Sequence, residues 1–505
     1  MRVTNAIASI LVLTILSSCS GTPNTLLHTV NPTFALPTNL QQYVTLLPKV
    51  PGPYPNPLLI YPTNPTIWVA AVSGPSDPTG SQIRQFFING TSRGVLNLTN
   101  VIVSSIVADP TSPSGKLWFT ENSTLSFYDS TQAKETKAIS FPGQSLQYLT
   151  RDSQGRIWIS MASSSGASSI VAYDPLSHSN QTYPVPSHGA IIQGITVTEG
   201  NMVWFAEAGS KKLGRLIPGA SPSFSEFSPP ESISLAAPVQ VAVDASGNVW
   251  FTDHGSNQFG VFDPTAVTWK VFPIGYCLNN CIAGLPNAIF VDAKNTIWFS
   301  EHNAGRVGHY DPSTRVLTEY SVPGGSVPGL WWAMPGPKNL VWFVAVALGQ
   351  VGYVNSTIPV ATGLSGTVSG VTIQRGSYQR VPIIVSSVGQ NFSINSSEVT
   401  QDAPPYNPPQ IYSSSQSDIF PGGNPYSTSI TVFAAWNASL GQRYVGLTAF
   451  NSQVSLSIFV MVNVVDSSIS YVAFGFVAII MIGGLVIYVK RPRRPNAKFA
   501  RQARR

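Results

Sequence analysis

Val239-Gln240-Val241-Ala242-Val243-Asp244-Ala245-Ser246-Gly247-Asn248-Val249-Trp250-Phe251-Thr252-Asp253 is the stretch whose reading decides the fold. It opens with a β-branched apolar run and closes with a second one around Trp250. Between them lies Asp244-Ala245-Ser246-Gly247. An aspartate opening such a turn bonds the following backbone and a glycine tolerates positive φ, so the two runs read as strands of a tight hairpin. Downstream, Gln258 to Phe262 reads as a third strand ending at Asp263-Pro264, and Thr268 to Phe272 as a fourth, stopped by Pro273. The scheme recurs at once: turn Asp292 to Asn295, strand Trp298 to Glu301, then Gly305 to Asp311, then Thr318 to Tyr320.

The tryptophan strand occurs seven times, at Trp68, Trp118, Trp158, Trp204, Trp250, Trp298 and Trp342. The gaps between copies are 50, 40, 46, 46, 48 and 44 residues. Seven copies at that period predict a seven-bladed β-propeller over 57–358, each blade four short strands. No helical period interrupts the stretch, so the class is all-β. The tryptophans then pack between blades. From 361 to 466 the repeat stops while alternating runs continue, such as Tyr378 to Val385 and Leu456 to Val465, and this interval predicts a β-sandwich. Ala403 to Ser427, rich in Pro, Ser, Tyr and Gly, reads as a long loop, and 22–56 as a leader into the first blade.

The two ends set the expected topology. Ile469 to Val489 is 21 residues without a charge, about 31 Å as a helix, and predicts a single transmembrane span at 469–489. Eight Lys and Arg follow it in a 490–505 tail that has no acid, which places the tail in the cytoplasm and everything before the span outside. At the other end, Arg2 and the apolar run Ala6 to Leu16 have the pattern of a signal peptide, 1–21. Leu16-Ser17-Ser18-Cys19 also resembles the lipobox of bacterial lipoproteins, although ordinary cleavage nearby suffices beside a membrane span.

Charge and small motifs fit an exported chain. Net charge is +6, but removing the eight tail cations and Arg2 leaves the rest at −3. The basicity therefore belongs to topology, and a nucleic-acid partner is not expected. Sequons stand at Asn89, Asn97, Asn122, Asn180, Asn355, Asn391, Asn395 and Asn437, all ahead of the span, as candidate glycosylation sites. Cys277 and Cys281, in C-L-N-N-C, suit a local disulfide in an oxidising compartment better than a zinc site, since companion ligands are missing.

The motif W-F-[TAS]-[ED] followed by a Gly-Arg strand resembles the streptogramin (virginiamycin B) lyase family. It is carried by Trp118 to Glu121, by Trp204 to Glu207 with Gly214-Arg215, by Trp250 to Asp253, and by Trp298 to Glu301 with Gly305-Arg306. The resemblance covers about residues 57–355 and implies the propeller fold and a magnesium-assisted elimination that opens an ester-closed ring. It also implies histidines at the start of the innermost strands of the last two blades and carboxylates near the last blade. Here Asn287 and Gly329 stand in the histidine positions, and Val327 and Val346 in those of the carboxylates. No histidine or acid lies from Val322 to Val354, so family lyase activity is not expected. The segment 361–466 resembles the immunoglobulin-like domains near the membrane in prokaryotic surface proteins.

Two candidate sites follow. The inner-strand positions Gln147, Gln193 and Asn287, with Val239, give an uncharged polar rim that either binds a neutral ligand through its amides or holds water. Asp253-His254 and Glu301-His302, equivalent in neighbouring blades, form a candidate divalent-cation set for magnesium or calcium, unless the acids merely belong to the repeat as Glu121 and Glu207 do. Beyond that cation no cofactor is expected. The function expected is a single-pass cell-membrane protein whose propeller binds an extracellular protein or glycan; the alternative is a surface lyase or hydrolase with a relocated metal.

Overall fold

The computed structural model describes residues 43–73, 79–231, 233–274, 284–323, 329–360, 362–366, 370–387, 392–395, 411–413, 419–420, 426–450 and 453–466. The signal-like stretch with Cys19, the pair Cys277 and Cys281, Asn391, the apolar run 469–489 and the basic tail lie outside these residues. Among the described residues no helix is long and apolar enough to cross a membrane.

Seven antiparallel sheets follow one another along the chain, each carrying one of the seven tryptophans in its second strand. Their inner strands are Asn56–Pro62, Ile106–Ala108, Gln144–Arg151, Ile192–Val197, Pro238–Val243, Pro286–Val291 and Ala333–Pro335. We number the sheets one to seven in that order. The arrangement is propeller-like: each inner strand lies against the next, and the seventh returns to the first.

Apolar packing follows the same circuit. Trp68 packs with Leu117 and Phe119 of the second sheet, Trp118 with Ile157 and Ile159 of the third, and Trp158 with Val203 and Phe205 of the fourth. Trp204 packs with Val249 and Phe251, Trp250 with Ile297 and Phe299, and Trp298 with Val341 and Phe343. Trp342 completes the round against Ile60, Ile67 and Val69 of the first sheet. Each sheet buries one face on its neighbour, and none has a core of its own.

The phenylalanine after the tryptophan explains the glycine of the third strand. Phe251 is in register with Gly260, and its ring lies so close that a Cβ on Gly260 would meet it at 2.4 Å. Phe205 and Gly214 repeat the pairing, with a Cβ meeting the ring at 2.0 Å. Only a residue without a side chain leaves that space for the ring.

Both ends of the repeat region extend beyond the expected boundaries. Val44–Lys49, within the stretch read as a leader, pairs antiparallel with Gln350–Asn355 and supplies the fourth strand of the seventh sheet. The first described strand thereby completes the last sheet. At the other end, the C-terminal hairpin Gly441–Phe450 and Val454–Val465 continues the sixth sheet, because Val454–Val465 pairs with the outer strand Val316–Ser321. A second sheet, Thr362–Gly366, Tyr378–Ser387, Tyr426–Ala434 and Ile411–Ser413, shares a core with that hairpin through Val381, Ile383, Val432, Val460 and Val462. The strand Ile411–Ser413 lies inside the interval read as a loop. The 361–466 region is therefore two sheets over one core, with one of them continuous with the propeller-like body.

Candidate functional site

Five of the seven inner strands share one irregularity. Register slips between Pro57 and Leu59, Leu146 and Tyr148, Ile192 and Gly194, Pro238 and Gln240, and Pro286 and Ile289. The extra residues include Gln147, Gln193, Val239 and Asn287, the positions picked out as the rim. A bulge bends the strand and re-aims a side chain, which is why bulges gather beside functional sites.

Hydroxyls from the third position of the tryptophan motif bind the backbone of the inner strands, at bulges in the third and sixth sheets. Ser160 accepts from the Tyr148 amide at 3.2 Å, Ser300 from that of Ala288 at 3.2 Å, and Thr120 from those of Ser104 and Ser105 at 3.0 Å each. Thr252 instead reaches the neighbouring sheet and donates to the Asn287 carbonyl at 2.6 Å. The Thr or Ser of the motif thus shapes the rim.

The rim amides do not converge on a common point. Asn287 is 2% exposed, and its Nδ2 donates to the Trp331 carbonyl at 2.5 Å, tying the sixth sheet to the seventh. Gln147 donates to Ser145 Oγ at 2.8 Å within its own strand, and Gln193 stands half-buried in the fourth sheet.

The four-residue cation set is not assembled, and the pleat gives the reason. Successive side chains on a strand point to opposite faces. Phe251 packs toward the fourth sheet and Trp250 toward the sixth, so Asp253 shares the first direction and His254 the second. Asp253 accepts from the Ala237 amide at 2.7 Å, the Ala236 amide at 3.1 Å and Gln258 Nε2 at 3.1 Å. Glu301 pairs with Arg306 at 3.0 Å. Among the described residues no three His, Cys, Asp or Glu are placed to share a metal. The motif acids act structurally, as Glu121 does in accepting from Ser126 at 2.8 Å.

The histidines do come together. The rings of His254 and His302 are 5.8 Å apart and nearly parallel, with Trp331 edge-on to His302 at 4.8 Å. His254 Nδ1 lies 3.2 Å from the Pro286 carbonyl, while His254 Nε2 and His302 Nδ1 are buried without a hydrogen-bond partner. Burial depresses His254 to about 4 and, together with His254 itself, His302 to about 3. Both imidazoles are neutral near pH 7.

Beneath them lies a buried ionic triad. Arg306 sits between Glu301 at 3.0 Å and Glu319 at 3.4 Å, and Ser455 of the C-terminal hairpin donates to Glu319 at 2.6 Å. Burial pushes the Glu301 carboxyl well up, offset only in part by Arg306.

The inner strands also surround a cavity of about 330 Å³. Its walls include Leu149, Val197, Val243, Phe290, Trp332 and Met334, and Arg151 is the one charged residue among them. Trp332, from the seventh sheet, stacks on Tyr148 of the third at 6.2 Å and meets Phe290 of the sixth edge-on at 5.9 Å. Arg151 makes no ion pair with a described carboxylate. A lone guanidinium among aromatic and aliphatic walls suits a small anion with an apolar body.

Sequence reading missed the residue that fixes three of the tryptophans. Trp158, Trp250 and Trp298 donate their indole N–H to Asp152, Asp244 and Asp292 at 2.8, 2.9 and 3.0 Å. The signal was present as Asp six residues ahead of Trp in those three copies. Nothing local marks the triad or the reach of Trp332, since their partners are far along the chain.

These features define a propeller-like repeat protein with a bulged, hydrogen-bonded rim and no assembled metal cluster among the described residues. Residues 105–274 match the virginiamycin B lyase family. Among solved structures the chain is similar to a selenomethionine-substituted virginiamycin B lyase from Staphylococcus aureus: 19% identity, TM-score 0.50, 62% of this chain and 98% of that one covered. A streptogramin B lyase structure gives 19% identity and a TM-score of 0.50 over 62% of this chain and 97% of its own. At such identity the likeness is one of fold. Comparison with curated proteins finds no match.

Proposed function

We propose that the chain is a seven-bladed β-propeller displayed outside the cell on a membrane anchor, where it serves as a binding module for a protein or glycan. The circuit of tryptophans, with Trp342 packed on the first sheet, supports seven blades. The uncharged run 469–489 and the basic tail support the anchor and its orientation. The two C-terminal sheets would then form an immunoglobulin-like stem.

The engaged amide of Asn287 carries the non-catalytic reading. The resembled family implies a histidine there; this chain has a side chain committed to the Trp331 carbonyl. Elimination needs a base for the proton and an electrophile for the developing charge. An amide that bridges two sheets supplies neither. A small ligand of the module would instead enter the channel, its anionic group on Arg151 and its apolar part against Trp332.

Pull-down from native membranes with the full chain tests the module, and enrichment of one envelope protein or glycan supports it. In parallel, purified chain is expected to leave a streptogramin B ring closed, with or without magnesium, and Asn287→His is not expected to open it. Ring opening by the wild-type chain would overturn the reading. The second reading, a hydrolase or lyase built on His254 and His302, is favoured by their two unpartnered buried nitrogens. Turnover abolished by His302→Ala would promote it.

A further inference from the structure

Among the described residues eight large hydrophobic side chains are exposed, and five of them, Val95, Leu176, Ile191, Ile217 and Val267, are aliphatic and scattered over the propeller-like body. The other three, Trp436 at 69%, Tyr378 at 58% and Leu440 at 50%, include both aromatics and fall at one end of the C-terminal sheets. Scattered aliphatic exposure is ordinary; an exposed tryptophan and tyrosine with a leucine at one edge form a patch that needs an occupant.

Backbone hydrogen bonds locate the patch. The turn Arg375 to Ser377 binds both neighbouring strand ends, Arg375 N donating to the Val465 carbonyl at 3.0 Å and Gly376 N to that of Ala434 at 2.9 Å. Trp436 lies over this turn, since a Cβ on Gly376 would meet its ring at 2.2 Å. Leu440 immediately precedes Gly441, which pairs with Val464. Tyr378 starts the strand after the turn and its ring is 5.7 Å from Phe433. Arg375 also donates to the Ala438 carbonyl at 2.6 Å and lies 3.8 Å from Asp466. All three exposed side chains therefore surround the point where the last described strand ends.

The sequence beyond that point names the occupant. Only Ser467 and Ser468 separate Asp466 from the uncharged run 469–489. Three residues of chain reach at most about 11 Å, so the apolar run can begin no farther than that from Asp466. Tryptophan and tyrosine, apolar in body and polar at one tip, favour the boundary between headgroups and acyl chains.

We propose that Trp436, Tyr378 and Leu440 seat this end of the C-terminal sheets on the bilayer, with the indole of Trp436 in the headgroup–acyl boundary. This contact would orient the C-terminal sheets on the membrane. It rests on the anchored reading, and the experiment separates the two. The full chain is reconstituted into phosphatidylcholine vesicles carrying bromines near the top of the acyl chains, and flotation is measured beside tryptophan fluorescence. Trp436→Phe keeps an aromatic ring at a largely exposed position, so folding is preserved.

The expected result is flotation of both proteins, with a bromine-quenched, blue-shifted component in the wild type that is lost in Trp436→Phe. Equal quenching of both, or none in floated wild type, would overturn the patch while leaving the anchor standing. Failure of the wild type to float would overturn the anchor and the patch with it. A glycan found on Asn437, beside Trp436, would also overturn the seating, because a hydrated sugar there excludes the indole from lipid.

Discussion

Asp244 clamps Trp250: one carboxylate oxygen accepts the indole N–H at 2.9 Å, while the other accepts the Ser246 and Asn248 amides of the turn between them. A single buried side chain thus fixes a hairpin and the ring that packs on the next sheet. Asp152 and Asp292 repeat the clamp in the third and sixth sheets.

Asp244→Ala is expected to destabilise the protein by about 1–3 kcal/mol, because the buried indole donor loses its partner and the turn its cap. Asp263→Ala removes only turn bonds at an exposed corner and should cost clearly less. Denaturant unfolding of the two variants checks the order, and equal losses would refute the clamp.

Gly260→Ala places a methyl where the Phe251 ring lies, at 2.4 Å. Overpacking of this kind costs about 1–3 kcal/mol. Lowered thermal stability is expected, with partial recovery in the Phe251→Leu double variant. No recovery would show that the Lys270 carbonyl, which the added methyl meets at 2.7 Å, and not the ring, is the obstacle.

Three histidines, His254 and His302 buried and His309 half-buried, weaken the fold in acid. His254, His302 and His309 are depressed to about 4, 3 and 4 by burial, against an ordinary value near 6.5. Between these limits the unfolded chain binds more protons, so stability is fully present above pH 6.5 and falls as pH drops toward 3. Each imidazole contributes a slope of at most about 1.4 kcal/mol per pH unit. Unfolding midpoints measured from pH 7.5 to 4.5 should fall, and His302→Phe should flatten the slope.

Arg306→Ala leaves Glu301 and Glu319 facing each other without their cation. Removing one partner of a buried ionic group costs about 3–5 kcal/mol. Because Ser455 bonds Glu319, the C-terminal hairpin should loosen first, read as faster amide exchange in 454–465 than in the inner strands. Burial raises the Glu301 carboxyl above the ordinary range, so its contribution to stability is lost as pH rises through its folded value. Uniform exchange throughout the variant would contradict this order.

Removal of the channel cation offers a separate check. Arg151→Gln should weaken binding of a small aromatic carboxylate such as benzoate at least about tenfold, the loss of one charge-assisted hydrogen bond. Titration followed by fluorescence of Trp332 and its neighbours reports it. Equal affinity for both forms would remove the channel as a binding site.

The spacing of Trp68 to Trp342, the Asp-to-Gly turns and the β-branched runs determined an all-β repeat architecture from the sequence alone. These signals are local: a hairpin is set by its own turn, and a period by the copies themselves. That an amide stands at Asn287, where the resembled family implies a histidine, was equally legible, because residue identity needs no coordinates. Tertiary structure decided what depends on distant partners. Val44–Lys49 became the last strand of the seventh sheet because its edge needed pairing, and Val454–Val465 covered the edge of the sixth for the same reason. Asp253 and His254, adjacent in sequence, were sent to opposite faces by the pleat, while His254 and His302 met across two sheets. Periodicity fixes which face a residue occupies; only the packing of successive sheets fixes what it faces.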